Sequence, residues 1–210
     1  MSRTISAAVF SVVTAGVFVL AGCSSAGDNS TSGPAVNSSD AASATGTPAS
    51  GPHNAADVTF ATDMIPHHAQ AVEMADMALA QATSTEVKGL ATQIKNAQDP
   101  EIQTMSGWLT GWGEMVPTGS MSGMDHSMGS GTGMMSDTDM AALGAATGAA
   151  FDRMWVTMMI QHHTGALEMA TTELASGQST DAKTLAQSIV TSQTAEIATM
   201  KQLLTTLPSS

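Results

Sequence analysis

The sequence predicts an all-α protein, an antiparallel four-helix bundle built from two repeated helical hairpins. Three observations predict it. The stretch Met64-Ile-Pro-His-His-Ala-Gln-Ala-Val-Glu-Met-Ala75 returns 95 residues later as Met159-Ile-Gln-His-His-Thr-Gly-Ala-Leu-Glu-Met-Ala170, with eight of twelve positions identical. The same offset holds without a gap through a further element. Leu90, Ile94, Gln98, Glu101, Ile102, Met105 and Leu109 match Leu185, Ile189, Gln193, Glu196, Ile197, Met200 and Leu204. Finally, Tyr is absent and β-branched runs are few, while Ala, Met, Gln and Leu are plentiful, which favours helix over sheet.

A chain of 210 residues with 42% hydrophobic content is long enough to bury a core. Its net charge of −12 argues against a nucleic-acid partner, whose phosphates it would repel. An acidic surface is compatible with attracting cations, although more often it only keeps a protein soluble.

The elements follow in order. Residues 1–22 read as a lipoprotein signal peptide, with Arg3 ahead of a mostly apolar run from Ile5 to Leu20. The tetrapeptide Leu20-Ala21-Gly22-Cys23 resembles a bacterial lipobox, in which the cysteine is acylated and becomes the mature N-terminus. An uncleaved membrane helix fits less well, because the run is short for a span. Two or more acyl chains, such as palmitate, would anchor the protein stably outside the cell membrane. With the only Cys consumed, no disulfide, thiolate ligand or blue-copper site remains. Residues 23–54 carry almost no large apolar side chain beyond Cys23 and are expected to be a disordered tether with a reach of roughly 30 Å.

The first hairpin is expected over 55–115. At about 100° per residue, Phe60, Met64, His67, Ala71, Met74 and Ala78 share one face, with His68 and Ala75 at its margin. Glu73 turns away, as does Glu168 in the second copy, and both read as surface groups. Pro66 would ordinarily kink a helix. Copy two has Gln161 there, so the helix is expected to run through in both. In the second helix Gln98 and Glu101 fall within an apolar stripe of Val87, Leu90, Ala91, Ile94, Ile102, Met105 and Leu109, and are expected to be buried; Pro100 is a candidate bend.

Residues 116–136 form a Met/Gly/Ser-rich loop carrying Met121, Met124, His126, Met128, Met134 and Met135. No helical or strand period organises these residues, so core packing does not account for them. Ser136 with Asp139 resembles a helix cap. The second hairpin is expected over 137–207, with Trp155, Met159, His162, His163, Ala166, Met169 and Ala170 facing inward. Gly177 followed by Ser179 reads as a stop and a new cap.

Thioether and imidazole ligands are soft or borderline and suit Cu(I) and Ag(I) without a thiolate. Met64, His67, His68 and Met159, His162, His163 are sets of that kind. Buried Glu101 and Glu196 would be ligands or acceptors that orient an imidazole N–H. Gln98, Gln193, Met74, Met105, Met169 and Met200 are candidates of the same layer, though a Met stripe on a helix is more often core filling. A single inward His is also more often a satisfied core residue. Four at matched positions with matched Glu are harder to account for that way.

The paired Met-Ile-x-His-His motifs, each followed by Glu-Met-Ala and then Gln-x-x-Glu-Ile-x-x-Met, resemble the bacterial domain of unknown function 305 family over roughly residues 55–207. The resemblance implies a ferritin-like bundle, usually exported, with a link to copper and silver handling. The chain departs from the pattern at Gln161, where many copies carry Pro, and at Leu203, where copy one has Trp108. The alternatives are a ferritin-like di-metal oxidase and a structural or interaction lipoprotein without metal. The former uses Glu-x-x-His pairs that neither copy contains. The residues favour binding Cu(I) or Ag(I), with other divalent metals as alternative cargo. Sequestration, or transfer to a partner protein, is favoured over turnover.

Overall fold

The computed structural model describes residues 51–117 and 133–208. The expected signal peptide, Cys23, the expected tether up to residue 50, and Met121, Met124, His126 and Met128 lie outside the described residues. Five helices follow: α1 (Ala55–Gln81), α2 (Thr85–Trp112), α3 (Asp137–Ala145), α4 (Gly148–Ser176) and α5 (Thr180–Thr206). All regular structure among the described residues is helical, as expected. No described helix is long and apolar enough to cross a membrane.

The helix starts follow local chemistry. Asn54 and Asp57 form a capping box at α1, Ser84 and Ser179 cap α2 and α5, and Ser136 with Asp139 forms the expected box at α3. That last helix is short. The chain stops at Ala146 and restarts through Gly148, whose φ of 59° is left-handed backbone that glycine adopts without a Cβ penalty, so the second hairpin gains a preceding helix that the repeat did not predict. Pro66 and Pro100 both lie inside uninterrupted helices.

Helix α1 packs along α2, and α4 along α5, giving the two hairpins. The hairpins meet chiefly through α1 and α4, whereas α2 and α5 touch only marginally. Buried Trp155 crosses the α1–α4 contact and donates its indole N–H to the carbonyl of Met74 at 2.7 Å.

Two buried carboxylates fasten each hairpin to the turn of the other. Asp57 of α1 accepts from the backbone N–H groups of Gln178 (3.0 Å) and Ser179 (2.9 Å) in the α4–α5 turn. Asp152 of α4 accepts from the N–H groups of Thr83 (3.0 Å) and Ser84 (2.9 Å) in the α1–α2 turn. The pairs are related by the 95-residue offset. Each carboxylate satisfies donors that a helix N-terminus leaves open, and opposes the positive end of the helix dipole.

The core is divided in two. One apolar cluster holds Met74, Leu90, Ile94, Phe151, Trp155, Met159 and Met200; the other holds Phe60, Met64, Met105, Leu109, Ala182 and Ile189. Between these stretches, along all four long helices, come the repeated polar residues. His67, His68, Gln98, His162, His163 and Gln193 are each buried, the most exposed of them at 3%. A polar layer thus separates two hydrophobic halves.

Candidate metal centre

The His-His dipeptides meet across the α1–α4 contact. The rings of His67 and His162 lie 3.7 Å apart between centroids, tilted by 37°, and each lies 6.4 Å from its chain neighbour, His68 or His163. The helical phase that placed both His inward is therefore correct. His68 reaches α2, where its Nε2 is 2.8 Å from Glu101 Oε2, and His163 reaches α5, where its Nε2 is 2.7 Å from Glu196 Oε2.

A carboxylate accepts only, so the Nε2 atoms of His68 and His163 carry the hydrogen and donate it. In the neutral ring this leaves Nδ1 with the open lone pair. Both Nδ1 atoms are buried and make no hydrogen bond, and neither nitrogen of His162 makes one. Buried polar atoms are rarely left in that state unless a water or ion serves them. The carboxylate–imidazole pairing also has the form that orients and strengthens metal-binding histidines. Burial, and then the neighbouring His67, His163 and His68, hold His162 well below the usual imidazole pKa, so its ring stays neutral and ligand-competent in mild acid.

Met64 and Met159 are fully buried one helical turn before His67 and His162, on the same faces. Glu101 and Glu196 depart from expectation: their side chains keep 17% and 18% exposure rather than being buried. They reach the inner histidines from the edge of the layer. Gln98 and Gln193 are buried, with Oε1 atoms that make no hydrogen bond. Met74, Met105 and Met200 are fully buried within the apolar clusters, as are Met64 and Met159, and Met169 is half-buried against one of them. Glu73 and Glu168 are exposed, as their phase requires.

The loop reading needs one correction. Met135 is not free of packing: it is 6% exposed and belongs to the cluster of Met74 and Met159, while Met134 is half-buried. Among the described residues no three His, Cys, Asp or Glu side chains converge as a metal cage.

Sequence reasoning passed over several groups. Asp57 and Asp152 were detectable as one more identity at the repeat offset. Buried Glu173 stands against Asp57; burial and that neighbour raise its pKa to about 7. Burial opposes ionisation of Asp57, but the backbone N–H groups of Asn54, Ser179 and Gln178 outweigh it and hold its carboxyl below the usual range. His53 stacks on Trp112 at 4.6 Å, with no periodic signal to announce it.

A helical repeat with a shared His layer defines the class, and the sequence profile of the domain of unknown function DUF305 matches residues 57–204. The chain belongs to this family. Among solved structures, it is similar to a DUF305 fragment from Deinococcus radiodurans, at 30% identity over 75% of this chain and 100% of that one, with a TM-score of 0.66. A candidate secreted DUF305 protein from Streptomyces coelicolor is 34% identical over 71% of this chain and 91% of its own, with a TM-score of 0.63. CopM in its Cu(I)-bound form is 34% identical over 71% of this chain and 96% of its own, with a TM-score of 0.59. CopM is also known in Cu(II)-bound and Ag-bound forms. No curated protein matches the chain.

Proposed function

We propose that this chain is an exported protein that binds Cu(I) and Ag(I) through histidine and methionine, for sequestration or for transfer to a partner protein. The observation that carries the reading is the buried layer of four imidazoles, in which the Nδ1 atoms of His68 and His163 and both nitrogens of His162 make no hydrogen bond. His67, His68, His162 and His163 supply the nitrogen donors, and Met64 and Met159 supply thioethers. Glu101 and Glu196 orient the outer imidazoles. The Cu and Ag forms of a similar protein support the choice of metal.

In this reading the four long helices make a ferritin-like antiparallel bundle, and acylated Cys23 anchors it to the outer face of the cell membrane through the tether. The candidate secreted relative supports export. Met121, Met124, His126, Met128 and Met134 add weaker, faster-exchanging ligands, because fixing the backbone of a Gly/Ser-rich sequence costs about 1–2 kcal/mol per residue. A di-metal oxidase is disfavoured by the scarcity of carboxylates in the layer.

The test is Cu(I) titration against a competing chelator, with metal analysis of untagged protein. Joint replacement of His67, His68, His162 and His163 by Ala should remove the tightest sites. Unchanged affinity and stoichiometry would return the layer to a purely structural role. Bound iron or manganese with oxidase turnover would favour the di-metal reading.

A further inference from the structure

Among the positions at which the two hairpins differ, one pair meets residues 133–135. Gln70 of α1 corresponds to Gly165 of α4 at the 95-residue offset. Gln70 uses both ends of its amide on one residue: Nε2 donates to the Met135 carbonyl at 2.8 Å, and Oε1 accepts from the Met135 N–H at 2.8 Å. On the other helix, Gly133 has a φ of 74° and lies so close to α4 that a Cβ would come within 2.5 Å of the Gln161 carbonyl oxygen and 3.0 Å of the Gly165 nitrogen. The missing side chains at 133 and 165 make that approach feasible. Residues 133–135 therefore touch both α1 and α4. They do so at the turn where Gln161 and Gly165 bracket His162 and His163, and where Gln70 follows His67 and His68.

We propose that Gln70 is a positioning residue that seats Gly133–Met135 as a strap across α1 and α4, closing the His67–His162 pair from solvent, so that release of this clamp governs access to the imidazoles. Met135, buried in the same apolar cluster as Met74 and Met159, is the strap's anchor in the core. The amide clamp is the part that can open without unfolding a helix, since it binds main-chain atoms from outside the helical hydrogen-bond ladder. Its consequence for ion exchange rests on the proposed metal function. The strap itself does not.

The experiment uses the metal-free full chain. Histidine modification by diethyl pyrocarbonate, mapped by peptide mass spectrometry, reads access to His67 and His162, and amide exchange reads the Met135 N–H. Gln70→Leu should speed both by about tenfold, the change expected from losing two ordinary hydrogen bonds that hold a local closed state, while far-UV circular dichroism stays unchanged. Gly133→Ala should do the same by forcing the strap off α4. Unchanged modification of His162 in both variants would overturn the proposal, as would faster modification accompanied by equal acceleration across all helices. With Cu(I) loaded, Gln70→Leu should release the ion to a chelator faster at unaltered stoichiometry. If wild-type protein binds no Cu(I), the metal function fails, and the histidine modification still decides the strap.

Discussion

His162 and Glu173 titrate with opposite consequences for stability. Burial lowers the His162 pKa in the fold, whereas in the unfolded chain the ring titrates near the ordinary 6.5. Below that pH the unfolded chain takes up the extra proton, so the fold keeps its full stability above about pH 6.5 and loses it as pH falls towards the folded value. Glu173 is raised to about 7 from an ordinary 4.5, so the folded chain holds the extra proton. Its contribution is complete below pH 4.5 and is lost as pH rises through about 7. Glu173→Gln keeps the size and polarity of the side chain beside Asp57 without the ionisation, and should be more stable than wild type at pH 8 by about 1–3 kcal/mol, with the gain vanishing near pH 4. Thermal unfolding across pH measures it, and an equal gain at both ends would exclude the carboxyl pair as the cause. At the outer imidazoles, replacing Glu101 and Glu196 together by Gln should weaken Cu(I) binding about 10–100-fold, the usual cost of removing an orienting carboxylate. Chelator competition reads the change, and full affinity in the variant would limit these residues to packing.

The helices are held by caps that cross between hairpins, which makes each turn depend on the other copy. Asp152→Ala leaves the Thr83 and Ser84 N–H groups without their shared acceptor and should cost about 2–4 kcal/mol by urea denaturation. Asp57→Ala should cost less, because it also removes the neighbour that raises Glu173. Equal losses would mean that the carboxyl pair carries no strain. These contacts show what the sequence could and could not disclose. Helical faces, the inward histidines and the Ser136 and Ser179 caps were legible because they follow from phase and from neighbours within one turn. Asp57 to Ser179 spans 122 positions, and only the repeat offset hints at it. Met135 was hidden for a different reason: its partner is a glutamine amide on main-chain atoms, which leaves no periodic trace in a Gly/Ser-rich stretch. Phase gave the direction in which Glu101 and Glu196 point, but not that they stand at the rim of the layer, where water still reaches them.

Across the whole molecule, the polar layer interrupts what would otherwise be one continuous core. Buried imidazole nitrogens without partners carry a desolvation cost of about 1–3 kcal/mol each, and an apolar side chain of similar size would not. A protein selected for stability alone would fill that layer with leucine; one selected to bind an ion accepts a weaker empty state in exchange for available ligands. His162→Leu separates the two cases, since His162 is fully buried and neither of its nitrogens makes a hydrogen bond. The metal-free variant should unfold at a higher temperature than metal-free wild type. Cu(I) should then reverse the order: an ion that binds only the folded state adds about 2.7 kcal/mol at a free concentration of 100 times Kd, which wild type gains and the variant largely forgoes. Differential scanning calorimetry with and without chelator-buffered Cu(I) tests both halves. A metal-free variant less stable than wild type would mean that the imidazole serves the fold itself.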